Sequence, residues 1–250
     1  CTQQEEQVAA SIAPVVTSPN NGVKSIVIYG ASGKIGGLIV QQALERGHSV
    51  VGVSRDLSRL TLKHERFRAM QGDVTDVESV RSVTAGADVV AVSVAGSGAG
   101  NLPGNAVHAR AAVVMVEAFS DMANAPHVIQ LGGATTMFDT MEAMEEGLSN
   151  PAKEGTPMHG MLFGHLVALN VYRSSTIPWT IVTPPMTILG WTPDGIIDGS
   201  TTLDSYRTST TEFVSDQDGK NEIYVLDLAK AVVDEAENAA FIGQRFTLGY

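Results

Sequence analysis

At 250 residues, 44% hydrophobic and 17% charged, the chain can bury a substantial core and has the length of a single α/β domain. Its 27 acidic residues outweigh 16 basic ones to give a formal charge of -11 without a basic stripe, which argues against nucleic acid as a partner. No apolar run approaches the roughly 20 residues of a membrane-spanning helix, and the single cysteine, Cys1, excludes an intramolecular disulfide and a cysteine-rich metal site.

The chain starts at Cys1, followed by a polar segment through Asn20, Asn21 and Gly22. That pattern is similar to the mature end of a bacterial lipoprotein, a lipidated cysteine on a flexible tether. A processed leader or an artificial chain start explains it equally, so an exported, lipid-anchored protein and a cytoplasmic one both stay open. The expected organisation is a flexible tether over residues 1–22 and one folded domain over 23–250.

From Lys24 the pattern changes. Ser25–Tyr29 is a short apolar run that ends in glycine, residues 34–46 read as a helix, Gly47 stops it, and residues 48–53 form a second apolar run. Together they make one βαβ unit of about 30 residues. Alternation continues with Phe67–Gln71 (strand), 76–83 (helix), 87–92 (strand), 105–122 (helix), His127–Leu131 (strand), 158–174 (helix) and 180–182 (strand). Such alternation predicts an α/β fold, a Rossmann-type doubly wound parallel sheet with helices on both faces. Residues 137–157 are expected to form a loop or short helix beside the site, with Met137, Met141 and Met144 as packing residues. Residues 190–218, rich in Gly, Thr, Ser and Asp, predict a small irregular C-terminal lobe. Ligands of such sheets lie beyond the carboxyl ends of the strands, so these two segments are the expected walls of a substrate pocket.

The turn after the first strand reads Gly30-Ala31-Ser32-Gly33-Lys34-Ile35-Gly36. A glycine triplet is weak by itself, but this one follows a strand, opens a helix and begins a βαβ unit, which is the context of a dinucleotide-binding turn. Gly30 would permit the tight turn, Gly33 the approach of a pyrophosphate and Gly36 the helix-strand contact, with Ser32, Lys34 and Ile35 in the same turn. The helix N-terminus adds N–H groups and positive potential. The second strand ends Ser54-Arg55-Asp56. An acidic residue there would hold a ribose 2′-OH, whereas Arg55, with Arg59 in reach, pairs with a 2′-phosphate; NADPH is favoured over NADH. Asp56, one residue late, reads as a turn cap. After the third strand, Asp73 and Val74 are placed to flank the adenine, although an Asp at a strand end serves equally as a helix cap. Val94 and Ala95 after the fourth strand, Leu131, Gly132 and Gly133 at the end of the fifth, and Pro184 belong to the expected cofactor wall.

With these residues the chain resembles the atypical short-chain dehydrogenases of the NAD(P)H-binding type, in the branch of biliverdin-IXβ and flavin reductases, from about Lys24 to Tyr250. The resemblance is carried by the glycine turn, Ser54-Arg55-Asp56 with Ser58-Arg59-Leu60, Gly72-Asp73-Val74, Ala85-Gly86-Ala87-Asp88 and Trp179-Thr180-Ile181-Val182-Thr183-Pro184-Pro185. It implies the fold and an NADPH site. Carbonyl-reducing relatives use a Tyr-x-x-x-Lys pair, and the family's spacing back from Trp179 puts those positions at Met161 and His165. Methionine cannot donate a proton, no tyrosine here has a lysine four residues on, and Tyr172 lies elsewhere on that helix. The serine expected after the fifth strand is also missing, with Thr135 and Thr136 the nearest hydroxyls.

The resemblance makes His165 the candidate catalytic residue, able to hold the ribose or give a proton; a hydrogen-bonded structural histidine stays open beside that role. His159 is a second candidate. No metal site is expected, because six residues place His159 and His165 on different helix faces. The expected chemistry is NADPH-dependent reduction of a small-molecule electron acceptor of flavin, quinone or tetrapyrrole kind. Thr135, Pro185, Met186 and Trp191 would form its pocket. The alternative is a non-catalytic NADP(H)-binding sensor or assembly protein. An epimerase or dehydratase is disfavoured by the missing tyrosine, and the sequence does not set the oligomeric state.

Overall fold

The computed structural model describes residues 13–14, 22–96, 106–138, 140, 142–143, 146, 155–192 and 194–250. Most of the expected 1–22 tether, Asn105, and most of 137–157 with Met141 and Met144 lie outside these residues. In chain order the elements begin with β1 (Ala13–Pro14), β2 (Ser25–Tyr29), α1 (Lys34–Glu45), β3 (Ser49–Ser54), β4 (Phe67–Gln71) and α2 (Val77–Val83). They continue with β5 (Val89–Val92), α3 (Val107–Phe119), β6 (His127–Leu131), α4 (Pro157–Arg173) and β7 (Trp179–Thr183). The last are β8 (Thr187–Leu189), β9 (Trp191–Thr192), β10 (Gly195–Ile196), β11 (Arg207–Ser209), β12 (Glu222–Tyr224), α5 (Val225–Asn238) and β13 (Gln244–Gly249).

The main sheet runs β1-β11-β13-β7-β6-β5-β2-β3-β4. From β4 to β13 every pairing is parallel, while β11 and β1 extend the edge in antiparallel fashion. The strand order reverses between β2 and β5, which opens a crevice at their carboxyl ends. This is the doubly wound Rossmann-type α/β domain read from the sequence.

Burial explains why the central strands are unbroken apolar runs: both faces of the sheet are covered. Along β2, Ile26 and Ile28 point into one core with Ile39, Val40 and Ala43 of α1 and Leu228 and Val232 of α5. Val27 and Tyr29 point into the other, with Val80 of α2, Ala111 and Met115 of α3 and Leu169 and Tyr172 of α4. Each fully buried aliphatic side chain contributes roughly 1.5–3 kcal/mol, so these two layers hold the fold. Among the described residues no helix is long and apolar enough to cross a membrane.

Asp76, expected as the first helical residue, instead caps α2, its carboxylate accepting from the Ser79 amide at 2.6 Å. The larger difference lies near the C-terminus. No element is expected beyond Asp218, where α5 and β13 stand, and Arg207–Ser209, inside the expected irregular lobe, joins the main sheet. The rest of that lobe is built on a parallel β8–β12 pair and an antiparallel β9–β10 pair. Helix α5 buries four carboxylates as well as its apolar stripe. Asp227 accepts from the Leu203 amide at 2.9 Å and from Thr202; Asp234 meets Arg46 at 2.6 Å and Tyr206. Glu237 meets Arg46 at 3.0 Å and His48 at 2.9 Å, and Glu235 accepts from Thr180 at 2.8 Å and from the Ala240 amide at 3.0 Å. Burial of these groups is tolerated because each is hydrogen-bonded.

Candidate functional site

The three glycines of the turn after β2 do different things. Gly30 has φ +81°, and a Cβ on it would lie 2.1 Å from the Ser93 oxygen; one on Gly36 would lie 2.1 Å from the Gly30 oxygen. Both glycines are required by the protein's own backbone. A Cβ on Gly33 would meet only the Gly30 oxygen, at 3.0 Å, so the outer side of Gly33 is open. Gly33 is also the N-cap of α1, without a side-chain cap and with no acidic residue in the first turn. The leading N–H groups of α1 therefore face outward with positive potential. An open glycine at an uncapped helix start fits a pyrophosphate.

Around this turn, Ser32 Oγ lies 3.3 Å from Ser54 Oγ, which also accepts from the Asp56 amide at 3.2 Å. The end of β3 is thereby tied to the turn. Arg55 and Arg59 are exposed beside it, as is Lys34, whereas Ile35 packs on the core and offers a ligand only its backbone. The Asp56 carboxylate is turned back onto Ser58, accepting from its hydroxyl at 2.8 Å and its amide at 3.0 Å, and these bonds hold it below the usual carboxylate range. Asp73 makes the same kind of closure on Thr75, at 2.7 and 2.8 Å. Partial burial would raise its pKa, but the Thr75 bonds and the charges of Arg55 and Arg110 keep it low. Val74 is a core residue, so its backbone alone is available there.

The other end of the crevice is formed by the segments after β5 and β6. Val94 packs on the second core and Ala95 is exposed; Leu131 is half-buried, and Gly132 lies where a Cβ would be 2.7 Å from Ile181. At Gly133 a Cβ would lie 2.7 Å from Cδ2 of His165. That imidazole is 6% exposed, and its ring centroid is 3.8 Å from that of His108, tilted 36°. Burial, and then His108, hold its pKa well below the ordinary histidine value, and among the described residues its Nδ1 has no partner. His108 was not singled out by the sequence: a histidine in an alanine-rich helix carries no local signal.

The positions and hydroxyls weighed for the dehydrogenase groups lie as follows among the described residues. Met161 is half-buried on α4. Tyr172 sits in the core, stacked on Trp179 with its hydroxyl donating to Gln130 at 2.8 Å, and burial pushes its pKa up. Thr136 Oγ1 donates to the Gly133 oxygen at 2.8 Å and contacts Thr183 Oγ1 at 2.6 Å. Thr135 is buried, its hydroxyl 3.4 Å from the Leu162 oxygen. His159 is buried at the start of α4, where Thr156 caps its amide at 3.3 Å. Pro184, expected in the cofactor wall, is buried just past β7; of the expected acceptor pocket, Pro185 is buried beside it, Met186 is exposed and Trp191 half-buried. The lobe bearing Trp191 rests on α1, since a Cβ on Gly199 would lie 3.5 Å from Leu38. Among the described residues no group of three or more His, Cys, Asp or Glu side chains is placed to hold a metal.

A model of the NAD(P)H-binding family matches residues 30–239, from the first glycine of the turn to the end of α5. The chain belongs to the NAD(P)H-binding family. Its relatives include the uncharacterised protein YwnB of Bacillus subtilis (strain 168), 25% identical over 234 residues that span 89% of this chain and 97% of that one. The fold is shared with a candidate NADH-flavin reductase from Streptococcus pneumoniae TIGR4, TM-score 0.69 at 21% identity, covering 90% of this chain and 99% of that one. It is shared too with a short-chain dehydrogenase/reductase from Veillonella parvula DSM 2008 in complex with NADP, TM-score 0.63 at 18% identity, covering 92% and 95%.

Proposed function

We propose that the chain is an NADPH-dependent oxidoreductase acting on a flavin, quinone or tetrapyrrole-like acceptor. The observation that carries the reading is the open, uncapped start of α1 at Gly33 with Arg55 beside it and Asp56 turned away onto Ser58. A carboxylate engaged in that way is poorly placed to hold a ribose 2′-OH, while an exposed arginine suits a 2′-phosphate. The Veillonella neighbour with NADP and the Streptococcus neighbour described as a candidate NADH-flavin reductase support the general reading.

When bound, the cofactor supplies a hydride. The Gly30–Gly36 turn, Ser32, Lys34 and the Ile35 backbone bind its diphosphate. Ser54, Arg55 and Arg59 meet the adenosine 2′-phosphate, and Asp73 and the Val74 backbone flank the base. Val94, Ala95, Leu131, Gly132, Gly133, His165 and Pro184 wall the nicotinamide half. Thr135, Pro185, Met186 and Trp191 receive the acceptor. His165, kept neutral by burial, offers shape and a hydrogen-bonding nitrogen more than an exchangeable proton. That suits acceptors that are already electrophilic and take their proton from water, for which position and a dry pocket are the main demands.

A second reading is a non-catalytic NADP(H)-binding sensor or assembly protein. It is favoured by Tyr172 standing in the core and by Thr136 being bonded to Gly133 and Thr183. Fluorescence titration with NADPH and NADH, then turnover with FMN, quinones and biliverdin, separates the two. NADPH oxidation with one acceptor class supports the enzyme. Tight NADPH binding without oxidation by any of them supports the sensor.

A further inference from the structure

His165 is held from two sides, and both sides depend on a glycine. On one side its ring lies against the backbone of Gly133, where a Cβ would approach Cδ2 to 2.7 Å. On the other side stands the ring of His108, 3.8 Å away between centroids. Helices α3 and α4 come this close because Gly164, next to His165, has no side chain: a Cβ there would lie 2.4 Å from Cβ of Ala106. His108 is itself fixed. Its imidazole hydrogen-bonds the backbone of Val94 at the end of β5, and its own carbonyl accepts from Gln130 of β6 at 3.2 Å. Gln130 is held in turn by the Tyr172 hydroxyl of α4. A buried chain of three elements therefore ends in one imidazole set against another, tilted 36°.

We propose that His108 is the positioning residue of the site: it clamps the His165 ring against Gly133, so that one edge of that ring is presented at the carboxyl ends of β5 and β6. Two partly orphaned imidazoles buried together carry a cost that calls for a purpose, since among the described residues each Nδ1 lacks a partner. The clamp supplies one, a rigid polar edge where the nicotinamide half of the cofactor is placed by the proposed function, on which this part of the inference rests. The titratable group bearing on His165 from the facing helix is His108, with His159 on its own helix; Arg110 of α3 is exposed and its charge acts on Asp73.

Nitrogen-15 NMR of the histidine rings in the full chain, from pH 5 to 8, tests this together with fluorescence titration by NADPH. In the wild type, His165 is expected in one tautomer, without protonation across the range. His108→Ala should release it, giving two tautomers and a titration within the range, and should weaken NADPH binding roughly tenfold. His108→Gln, planar and still able to donate to the Val94 carbonyl, should restore the single tautomer and bring affinity within about twofold of the wild type. Circular dichroism confirms that each variant is folded, and His108→Gln serves if His108→Ala is not. An unchanged His165 spectrum in a folded His108→Ala overturns the proposal, as does an altered spectrum with undiminished NADPH affinity. If instead the wild type binds neither NADPH nor NADH, the proposed function fails, and the spectra still decide whether His108 positions His165.

Discussion

A methyl group on Gly30 or Gly36 would stand 2.1 Å from a backbone oxygen, whereas on Gly33 it meets one oxygen at 3.0 Å and otherwise open space. The same substitution therefore has different consequences along one turn. Gly33→Ala is expected to cost about 1 kcal/mol or less in stability while weakening NADPH binding roughly tenfold or more. Gly30→Ala and Gly36→Ala should each destabilise by about 3 kcal/mol, because backbone rather than a flexible side chain must move. Urea unfolding and NADPH titration of the three variants check the division. At the neighbouring strand end, Arg55→Ala should lower NADPH affinity roughly tenfold and leave NADH binding unchanged, the difference being the lost arginine–phosphate contact. Parallel titrations with the two cofactors read it directly. The turn was legible in the sequence because seven consecutive residues carry it. That Asp56 closes on Ser58 was readable as a turn cap, since both residues are neighbours; that His108 faces His165 was not, since 57 positions separate them in the sequence.

Helices α3 and α4 illustrate what an element's own pattern leaves open. Their apolar stripes predict two buried helices, and both form within two or three residues of the expected bounds. Their close approach is a matter of Gly164 against Ala106, and the polar chain Tyr172–Gln130–His108 lies inside the interface. Tyr172→Phe should leave the Gln130 oxygen unpaired in the core and cost about 1–3 kcal/mol, read by urea unfolding. An unchanged urea midpoint would show that the hydroxyl is not a buried partner of Gln130. Helix α5 shows the converse case. Its spacing of Val225, Leu228, Ala229, Val232, Val233 and Ala236 is a plain helical period. The preceding Gly-, Thr-, Ser- and Asp-rich stretch obscures it, and the burial of Asp227, Asp234, Glu235 and Glu237 contradicts the expectation that such residues face water.

Across the whole molecule, buried histidines set the acid response. Burial lowers His108 to about 4 against an opposing bond to Val94, and lowers His127 to about 4 with a smaller contribution from Lys24, both from an ordinary 6.5. Below pH 6.5 the unfolded chain binds protons that the folded chain refuses. Stability is therefore full above that value and falls as the pH drops toward 4, by on the order of 1–3 kcal/mol for each histidine. Glu235 has the opposite sign: burial raises it, so its contribution is lost as the pH rises above the usual carboxylate range. Urea midpoints from pH 4 to 8 should fall on the acid side, and His127→Gln should flatten that slope. A slope unchanged by the substitution would place the acid response elsewhere.

The sequence by itself determined the parallel doubly wound sheet, the glycine-rich turn between β2 and α1 and the absence from the given sequence of any tyrosine with a lysine four residues on. Each of these is written in short-range pattern, as runs, spacings and residue identities that any fold must respect. Only the tertiary structure decided which glycine of the turn is open, that β11 extends the sheet, that α5 meets residues as distant as His48, 189 positions away, and that His165 rests between Gly133 and His108. Those outcomes depend on which surfaces packing brings together. Distant side chains meet through helix and sheet geometry, and no local spacing in the chain encodes the encounter.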